Sequence, residues 1–444
     1  MRISVIGCGH LGAPHAAAMA ELGHDVIGVE LNPATRRILQ SGRGPFFEKG
    51  LDDLLEKYVP TGRLRFTGDL TEAAEFADLH FIAVGTPLRE DGQGYDMEQV
   101  FGAVSALAPL LDRPCTIVGK STVTVGTVAR IQEIIADRAV DGVDLVWNPE
   151  FLREGHAVED TLYPDRIIAG VSRPEAQKAI EAVYAPILAR GDMELIVTEP
   201  ETAEIIKSAA NSFLATKISF INAMAEVCAL AGADVKTVAH GIGIDHRIGH
   251  AGMRPGIGYG GGCLPKDLRA FTHRIDEIGA TNAVALLQAV EGVNRGRVDA
   301  AVDLVEEAAG GALAGVRIAF LGAAFKAGTS DVRNSPALEL ARRLVEAGAH
   351  PVIHDPEALE TARRLHPEHT YADTLAEALD GAQVTVLATE WPQFGENPEL
   401  PASAARTVAT RRLVDVRTCV DPLDWITAGW TVWQLGRPVR RPRS

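Results

Sequence analysis

Residues 256–267, GIGYGGGCLPKD, set one of the chain's five cysteines among five glycines and a proline, with Lys266 and Asp267 close behind it. A structural cysteine normally hides in a helix or strand as a small hydrophobe. Cys263 is expected in a loop instead, where nearby charges tune a thiolate. The glycines at 258, 260, 261 and 262 are expected to let a substrate lie close against the backbone. A second motif, GCGHLG, places Gly7, Gly9 and Gly12 between a short apolar run and an alanine-rich stretch. That spacing suits a pyrophosphate turn: Gly7 for the tight bend, Gly9 for close approach, Gly12 for packing of helix on strand. Glu30 ends the next apolar run about twenty residues on, where a carboxylate accepts hydrogen bonds from an adenosine ribose and repels a 2′-phosphate. NAD is therefore expected over NADP, with Arg36 and Arg37 pulling the other way. A thiolate beside a nicotinamide points to covalent aldehyde oxidation, in which a thiohemiacetal gives up hydride and becomes a thioester that water cleaves.

Other candidates have a plainer alternative. AVGTP (83–87) and GKSTVTVGT (119–127) both follow apolar runs, so they belong either at the ligand-binding edge of an open α/β sheet or in ordinary turns. NPEFLREG (148–155) sets Glu150 and Glu154 four residues apart, on one face if the segment is helical. Such a pair is either a solvated acidic face or equipment for proton transfer. Lys207 and Asn211 share a helical face with apolar neighbours. Either the lysine snorkels to solvent, or lysine and amide together stabilise an oxyanion.

The elements that must hold these residues are legible as alternation. Ile3–Ile6, a glycine turn, a helix and Asp25–Glu30 form a βαβ unit, and apolar runs at 79–87, 115–122, 143–151 and 165–171 continue a parallel doubly wound sheet. From Thr202 over thirty residues pass without proline at helical spacing, predicting one long helix. A second βα alternation begins at 315, with later strands at 350–356, 382–391 and 410–418. The fold class is α/β, with domains expected at 1–200, 201–310 and 311–444, in keeping with the chain's 444 residues. A net charge of -16 argues against nucleic acid as a partner. No run reaches the eighteen or so apolar residues of a membrane span, and no secretion signal is expected. The scattered cysteines show neither metal spacing nor a disulfide framework, so no metal is expected and a reducing cytoplasm is. RPVRRPRS (437–444) reads as a frayed tail.

Taken together, the glycine turn, VGTP, KSTVTVGT, NPEFLREG, YPDRII, GYGGGCLPKD, LGAAFKAGTSDVRNSP and TEW, in this order and across nearly the whole chain, resemble the nucleotide-sugar 6-dehydrogenases. The resemblance implies two Rossmann-like doubly wound domains, the first for NAD and the second for the nucleotide of the sugar, joined by a long central helix and a helical dimerisation region. It implies oxidation of the sugar C6 alcohol to the carboxylate with two NAD, on UDP-glucose in the first instance, with GDP-mannose, TDP-glucose and UDP-N-acetyl sugars as alternatives. By resemblance Cys263 is the nucleophile, Lys207 and Asn211 stabilise oxyanions, Glu150 is the acid/base, and Thr122 and Asp267 hold water. His10, Leu11, Arg36, Val84, Gly85, Thr86, Ser121, Lys266 and Arg333 fall with the cofactor, and Glu154 between cofactor and sugar. Phe151, Leu152, Arg153, Ile257, Gly258, Tyr259, Gly260, Phe325, Lys326 and Arg417 fall with the substrate. Arg247 is implied to reach the neighbouring subunit's site in a homodimer. Two departures stand out: Glu30 replaces the family's usual aspartate, and VDVRTCVDP around Arg417 replaces a stretch closer to DGRN.

Overall fold

The computed structural model describes residues 1–442, which form two compact units, residues 1–210 with 269–279, and residues 211–268 with 280 onward. The first unit is built on eight strands, β1 (Arg2–Ile6), β2 (Asp25–Val29), β3 (Leu64–Thr67), β4 (Leu79–Ile82), β5 (Cys115–Gly119), β6 (Val143–Trp147), β7 (Arg166–Val171) and β8 (Glu194–Thr198). They lie in the order β3-β2-β1-β4-β5-β6-β7-β8. Ile3 pairs in parallel with Val26 on one side and Leu79 on the other, so the order reverses between β1 and β4. Ligands of open α/β sheets bind at such a reversal, beyond the carboxyl ends of the strands. Residues on both faces of β1, β2, β4 and β5 are buried, which is why these strands read as continuous apolar runs.

The sheet departs from the expected all-parallel form at one place, because β6 and β7 run antiparallel. An apolar run has the same pattern in either direction, so the sequence carried no sign of this. Two strands were also missed. Arg65 points outward from β3, and β8 at the sheet edge buries none of its five residues fully, so both have weak apolar signatures.

The second unit holds a six-stranded parallel sheet ordered β11-β10-β9-β12-β13-β14, from β9 (Arg317–Leu321), β10 (His350–His354), β11 (Thr370–Tyr371), β12 (Val384–Leu387), β13 (Arg412–Asp415) and β14 (Thr431–Gln434). The two-residue β11 and the short β14 are additions to the expected strands. The expected tail is partly pinned: Arg437 pairs with Asp234 at 2.8 Å and Arg440 exchanges backbone hydrogen bonds with Val432. Its last two residues lie outside the described residues.

The long helix is present as Pro200–Ala231, 32 residues. It holds no continuous run of eighteen apolar residues, as expected, although by length and composition alone it is apolar enough to cross a membrane, a test that buried core helices also pass. Serines and asparagines dispersed among its alanines and isoleucines break up any continuous apolar run. In the fold they find protein partners: Ser219 donates to the Val290 carbonyl at 2.8 Å, and Asn222 accepts from the Gly256 amide at 2.9 Å.

One carboxylate organises the second sheet's first turn. Asp355, directly after β10, accepts from the amides of Ala323, Ala324, Glu357 and Ala358 and from the Trp391 indole, at 2.7–3.0 Å. It thereby fixes the start of the segment carrying Phe325 and Lys326. Asp355→Ala leaves these buried donors without an acceptor, and chemical denaturation is expected to show a loss of about 2–4 kcal/mol.

Candidate active site

At the carboxyl end of β1, Gly7 adopts φ +89° and donates to the Val29 carbonyl at 3.0 Å. A Cβ on Gly12 would lie 1.8 Å from the Gly7 carbonyl oxygen, so the helix Gly12–Glu21 can only pack this tightly with glycine there. A Cβ on Gly9 would meet nothing within 4 Å. That open face, a helix N-terminus beside it and the Glu30 carboxylate fit the pyrophosphate and ribose of a dinucleotide. Glu30 accepts from the amides of Cys8 and Asn32 at 3.3 and 2.8 Å. His10 stacks on Phe46 at 4.0 Å, and Leu11 occupies the helix N-cap. The Arg36 guanidinium donates to the Glu30 carbonyl at 2.7 Å, so it is engaged by the backbone it was expected to flank. Val84, Gly85 and Thr86 follow β4, while Ser121 and Thr122 follow β5. The Ser121 hydroxyl joins the two turns by donating to the Val84 carbonyl at 2.7 Å.

The same unit buries an ion pair. Lys207 Nζ lies 3.0 Å from Glu150 Oε1, with side chains 5% and 11% exposed, so the lysine does not snorkel. Glu150 and Glu154 do not share a helical face, because 148–155 is irregular. Pro149 keeps Asn148 out of the helical region, and the Glu150 carboxylate instead accepts from the Leu152 amide at 2.6 Å. The Phe151 ring lies 5.3 Å from Lys207 Nζ and 4.0 Å from the Arg166 guanidinium. Arg153 pairs with Asp160 at the surface, and Glu154 is half-buried in the following turn.

In the second unit Cys263 lies in irregular backbone, as expected, and immediately precedes the helix Leu264–Glu277, whose first amides favour negative charge. The Asp267 amide closes that first turn by donating to the Cys263 carbonyl at 2.8 Å. The Asp267 carboxylate is 2% exposed and accepts from Asn211 Nδ2 at 2.7 Å and Lys266 Nζ at 2.6 Å. Lys207 lies one turn before Asn211 on the Pro200–Ala231 helix.

The glycines around the cysteine have a packing cause that the sequence did not show. A Cβ on Gly258 would meet Asn294 Oδ1 at 2.5 Å, on Gly260 the Asn334 carbonyl at 2.2 Å, on Gly261 the Phe325 ring at 2.7 Å, and on Gly262 the Arg333 guanidinium at 2.6 Å. The protein's own groups press against this loop and leave no room for side chains. Ile257 is buried, and the Tyr259 amide is held by Asn294. Lys326 Nζ lies 5.7 Å from the Phe325 ring, and Arg333 is clamped by Asp331 at 2.6 Å. Arg417 is buried, with its guanidinium donating to the carbonyls of Ala388, Gly258 and Phe325 at 2.8, 3.2 and 2.6 Å. Its donors thus fasten two loops expected at the substrate. Arg247 is exposed and pairs with Asp245 at 2.6 Å.

Sequence comparison places these residues in a known class. The NAD binding domain of the UDP-glucose/GDP-mannose dehydrogenase family matches residues 1–188, its central domain residues 201–296, and its UDP binding domain residues 319–422. The chain is 39% identical over 444 residues to a UDP-glucose 6-dehydrogenase of Rhizobium meliloti, covering 99% of this chain and all of that protein. It is 38% identical to one of Pseudomonas aeruginosa, covering 99% and 98%. A solved UDP-glucose dehydrogenase from Pyrobaculum islandicum superimposes with a TM-score of 0.84 at 37% identity, covering 94% of each chain. The fold and site are those of an NAD-dependent oxidoreductase. The chain belongs to the UDP-glucose/GDP-mannose dehydrogenase family.

Several residues that hold the site in place were not foreseen. Glu48 accepts from the amides of Gly155 and Ala157 at 2.8 Å, capping the helix Ala157–Leu162 from a remote loop. Glu204, 1% exposed, accepts from Gly126 and Val128 at 2.7 and 2.8 Å, so it ties the segment after Thr122 to the helix that carries Lys207. Burial pushes the Glu204 carboxyl up to about 7, against the pull of these amides. Its folded-state value lies above the unfolded one, so the folded protein takes up a proton as pH falls from about 7 to about 4.5. This group's contribution to stability is fully present below about 4.5 and is lost as pH rises through 7. Raising the pH from about 4.5 to about 7 should therefore lower the stability of wild type relative to Glu204→Gln by on the order of 3 kcal/mol, read from denaturant unfolding.

Proposed function

We propose that this chain oxidises the C6 alcohol of UDP-glucose to the carboxylate of UDP-glucuronate through a thioester on Cys263, consuming two NAD and one water. The buried Glu150–Lys207 pair carries the reading, because it sets a proton acceptor beside a fixed cation. Bound NAD supplies the hydride acceptor in each of the two oxidations. Glu150 takes the alcohol proton as hydride leaves C6. The Cys263 thiolate then adds to the aldehyde carbon, and Lys207 and Asn211 stabilise the oxygen of the thiohemiacetal. Loss of the second hydride leaves a thioester. A water held by Thr122 and Asp267 attacks it, the C–S bond breaks, and the carboxylate and the cysteine are released. Per sugar, one alcohol, two NAD and one water give one carboxylate, two NADH and three protons.

The remaining assignments follow the same reading. The Gly7–Gly12 turn, Glu30, Val84–Thr86, Ser121, Glu154, Lys266 and Arg333 serve the cofactor. Phe151–Arg153, the Ile257–Gly260 segment, Phe325 and Lys326 serve the sugar nucleotide, with Arg417 holding two of those loops. A homodimer is supported by exposed Phe213, Phe220 and Val227, which recur every seven residues on the long helix beside exposed Leu214 and Leu230. Arg247, 78% exposed at its side chain, is the residue that crosses to the other site. Cytoplasmic residence agrees with five cysteines that form no disulfide among the described residues.

With limiting UDP-glucose and excess NAD, two NADH per sugar are expected, and Cys263→Ser should form no acid. One NADH per sugar would remove the thioester step, and turnover only with GDP-mannose, TDP-glucose or a UDP-N-acetyl sugar would move the substrate within the family. Mixing inactive Cys263→Ala with Arg247→Ala subunits should restore part of the activity in hybrid dimers. Confirmed hybrids without recovery would exclude the shared site.

A further inference from the structure

The helix Thr281–Ala309 of the second unit turns two polar side chains one turn apart, Asn294 and Arg297, toward the backbone that leads to Cys263. The Asn294 side chain takes both polar groups of one residue: its Oδ1 accepts from the Tyr259 amide at 2.9 Å and its Nδ2 donates to the Tyr259 carbonyl at 3.1 Å. That is the pairing a neighbouring β-strand would supply, made here by a side-chain amide. Buried Arg297 donates from Nε to the Gly256 carbonyl at 3.1 Å, while the Gly256 amide donates to Asn222 Oδ1 at 2.9 Å. Farther along, the Gly261 amide donates to the Arg333 carbonyl at 3.0 Å and the Gly261 carbonyl accepts from Asn334 Nδ2 at 3.1 Å. Residues 256, 259 and 261 are each held at both N–H and C=O, by groups from the long helix, from this helix and from the segment after β9.

The clamp at Tyr259 has no slack. Gly258 adopts φ +98°, and a Cβ there would lie 2.5 Å from Asn294 Oδ1, so the side-chain amide rests directly on the loop backbone. One orientation of the Asn294 amide serves both Tyr259 groups. Aspartate has the same shape and no donor, and glutamine carries both groups one methylene farther out. Three glycines then separate Tyr259 from Cys263, and glycine backbone has no conformational preference of its own that would hold the thiol in place. The position of Cys263 therefore depends on its anchors. Before it these are Tyr259 and Gly261, and after it the first helical turn, closed by the Asp267 amide on the Cys263 carbonyl at 2.8 Å.

We propose that Asn294 is a positioning residue for the nucleophile: by pinning Tyr259 at both backbone groups it sets where the Cys263 thiolate stands when the aldehyde forms. This rests on Cys263 being the nucleophile. Misplacing a reacting group by about 1 Å costs on the order of a hundredfold in rate. The first oxidation, in which Glu150 takes the alcohol proton and hydride leaves C6, does not use the thiolate. The second begins with its addition to the aldehyde carbon. A loosened loop therefore slows capture of the aldehyde more than its formation, and the aldehyde persists long enough to be intercepted. A residue that served the fold alone would not bias one step against the other.

The test follows limiting UDP-glucose with excess NAD and the full-length enzyme in the presence of semicarbazide, which condenses with a free aldehyde and releases water. Wild type is expected to give two NADH per sugar and little semicarbazone. Asn294→Asp, which removes the donor to the Tyr259 carbonyl without changing shape, should lower kcat about tenfold or more and change KM for NAD less than about threefold. Its NADH per sugar should fall toward one as semicarbazone accumulates. Asn294→Gln should shift that ratio in the same direction and lower kcat only a few-fold. Thermal unfolding of each variant is recorded alongside. The proposal is overturned if folded Asn294→Asp keeps kcat within about twofold, or still gives two NADH per sugar, whatever its unfolding midpoint. If the Asp variant does not fold, the Gln variant decides by the same ratio, and failure of both to fold overturns the proposal, because the residue would then serve the fold. Cys263→Ser assayed alongside separates the two claims: two NADH per sugar from that variant sinks Cys263 as the nucleophile, whatever Asn294 does.

Discussion

The first unit is organised around two opposite charges held 3.0 Å apart and largely buried, Glu150 and Lys207. Removing both from solvent costs several kcal/mol per ion, and their attraction offsets this only where neither side chain can drift. Each is accordingly fixed from more than one direction. Pro149, the Leu152 amide and the doubly bonded Asn148 oxygen hold Glu150 on a segment with no regular structure. Lys207 sits on a long helix gripped three residues earlier by Glu204, whose carboxylate reaches the amides of another helix. Irregular backbone and regular backbone meet at this pair, and the buried polar residues around it serve mainly to keep that meeting rigid.

The second unit reaches rigidity by the opposite route, with close packing against a loop that has no side chains. Asn294, Asn334, Phe325 and Arg333 approach Gly258, Gly260, Gly261 and Gly262 nearer than any Cβ would permit. Arg417 fastens the same loop and the Phe325 segment by three carbonyls at once. A guanidinium whose donors converge on backbone is hard to replace by lysine, which lacks the planar fork. The reading DVRTC in place of DGRN therefore changes the neighbours of an arginine that acts first on the protein itself.

What could be read from the sequence was what local pattern encodes. Apolar runs ended by glycine revealed β1, β4, β5 and β9, a run ended by Glu30 revealed β2, and unbroken helical spacing revealed the helix from 200 to 231. The signal failed where it depends on partners far along the chain. Lys120, Asn148, Tyr184, Glu48 and Glu204 look like ordinary surface or turn residues until the fold brings their partners up to 109 residues away into contact. Direction is likewise invisible in an apolar run, hence the unforeseen antiparallel step between β6 and β7. The glycines around Cys263 were singled out by their spacing, which shows that something approaches the backbone without showing that Asn294, Asn334, Phe325 and Arg333 do so.

The two sheets also show how one βαβ plan is made to serve different ligands. In both, the glycine after the first strand donates to the last residue of the second, Gly7 to Val29 and Gly322 to His354. In both, an acid just beyond that second strand accepts from the next amide, Glu30 from Cys8 and Asp355 from Ala323. From there they diverge. Gly9 leaves open space where a pyrophosphate could rest on the backbone, whereas its counterpart Ala324 has its amide taken by Asp355 and its carbonyl taken by the Thr389 hydroxyl. Thr389 also lies 2.4 Å from where a Cβ on Gly322 would be, so that turn is filled from within. The second turn therefore offers no free amides to a diphosphate. That difference agrees with the family's division into an NAD binding and a UDP binding domain.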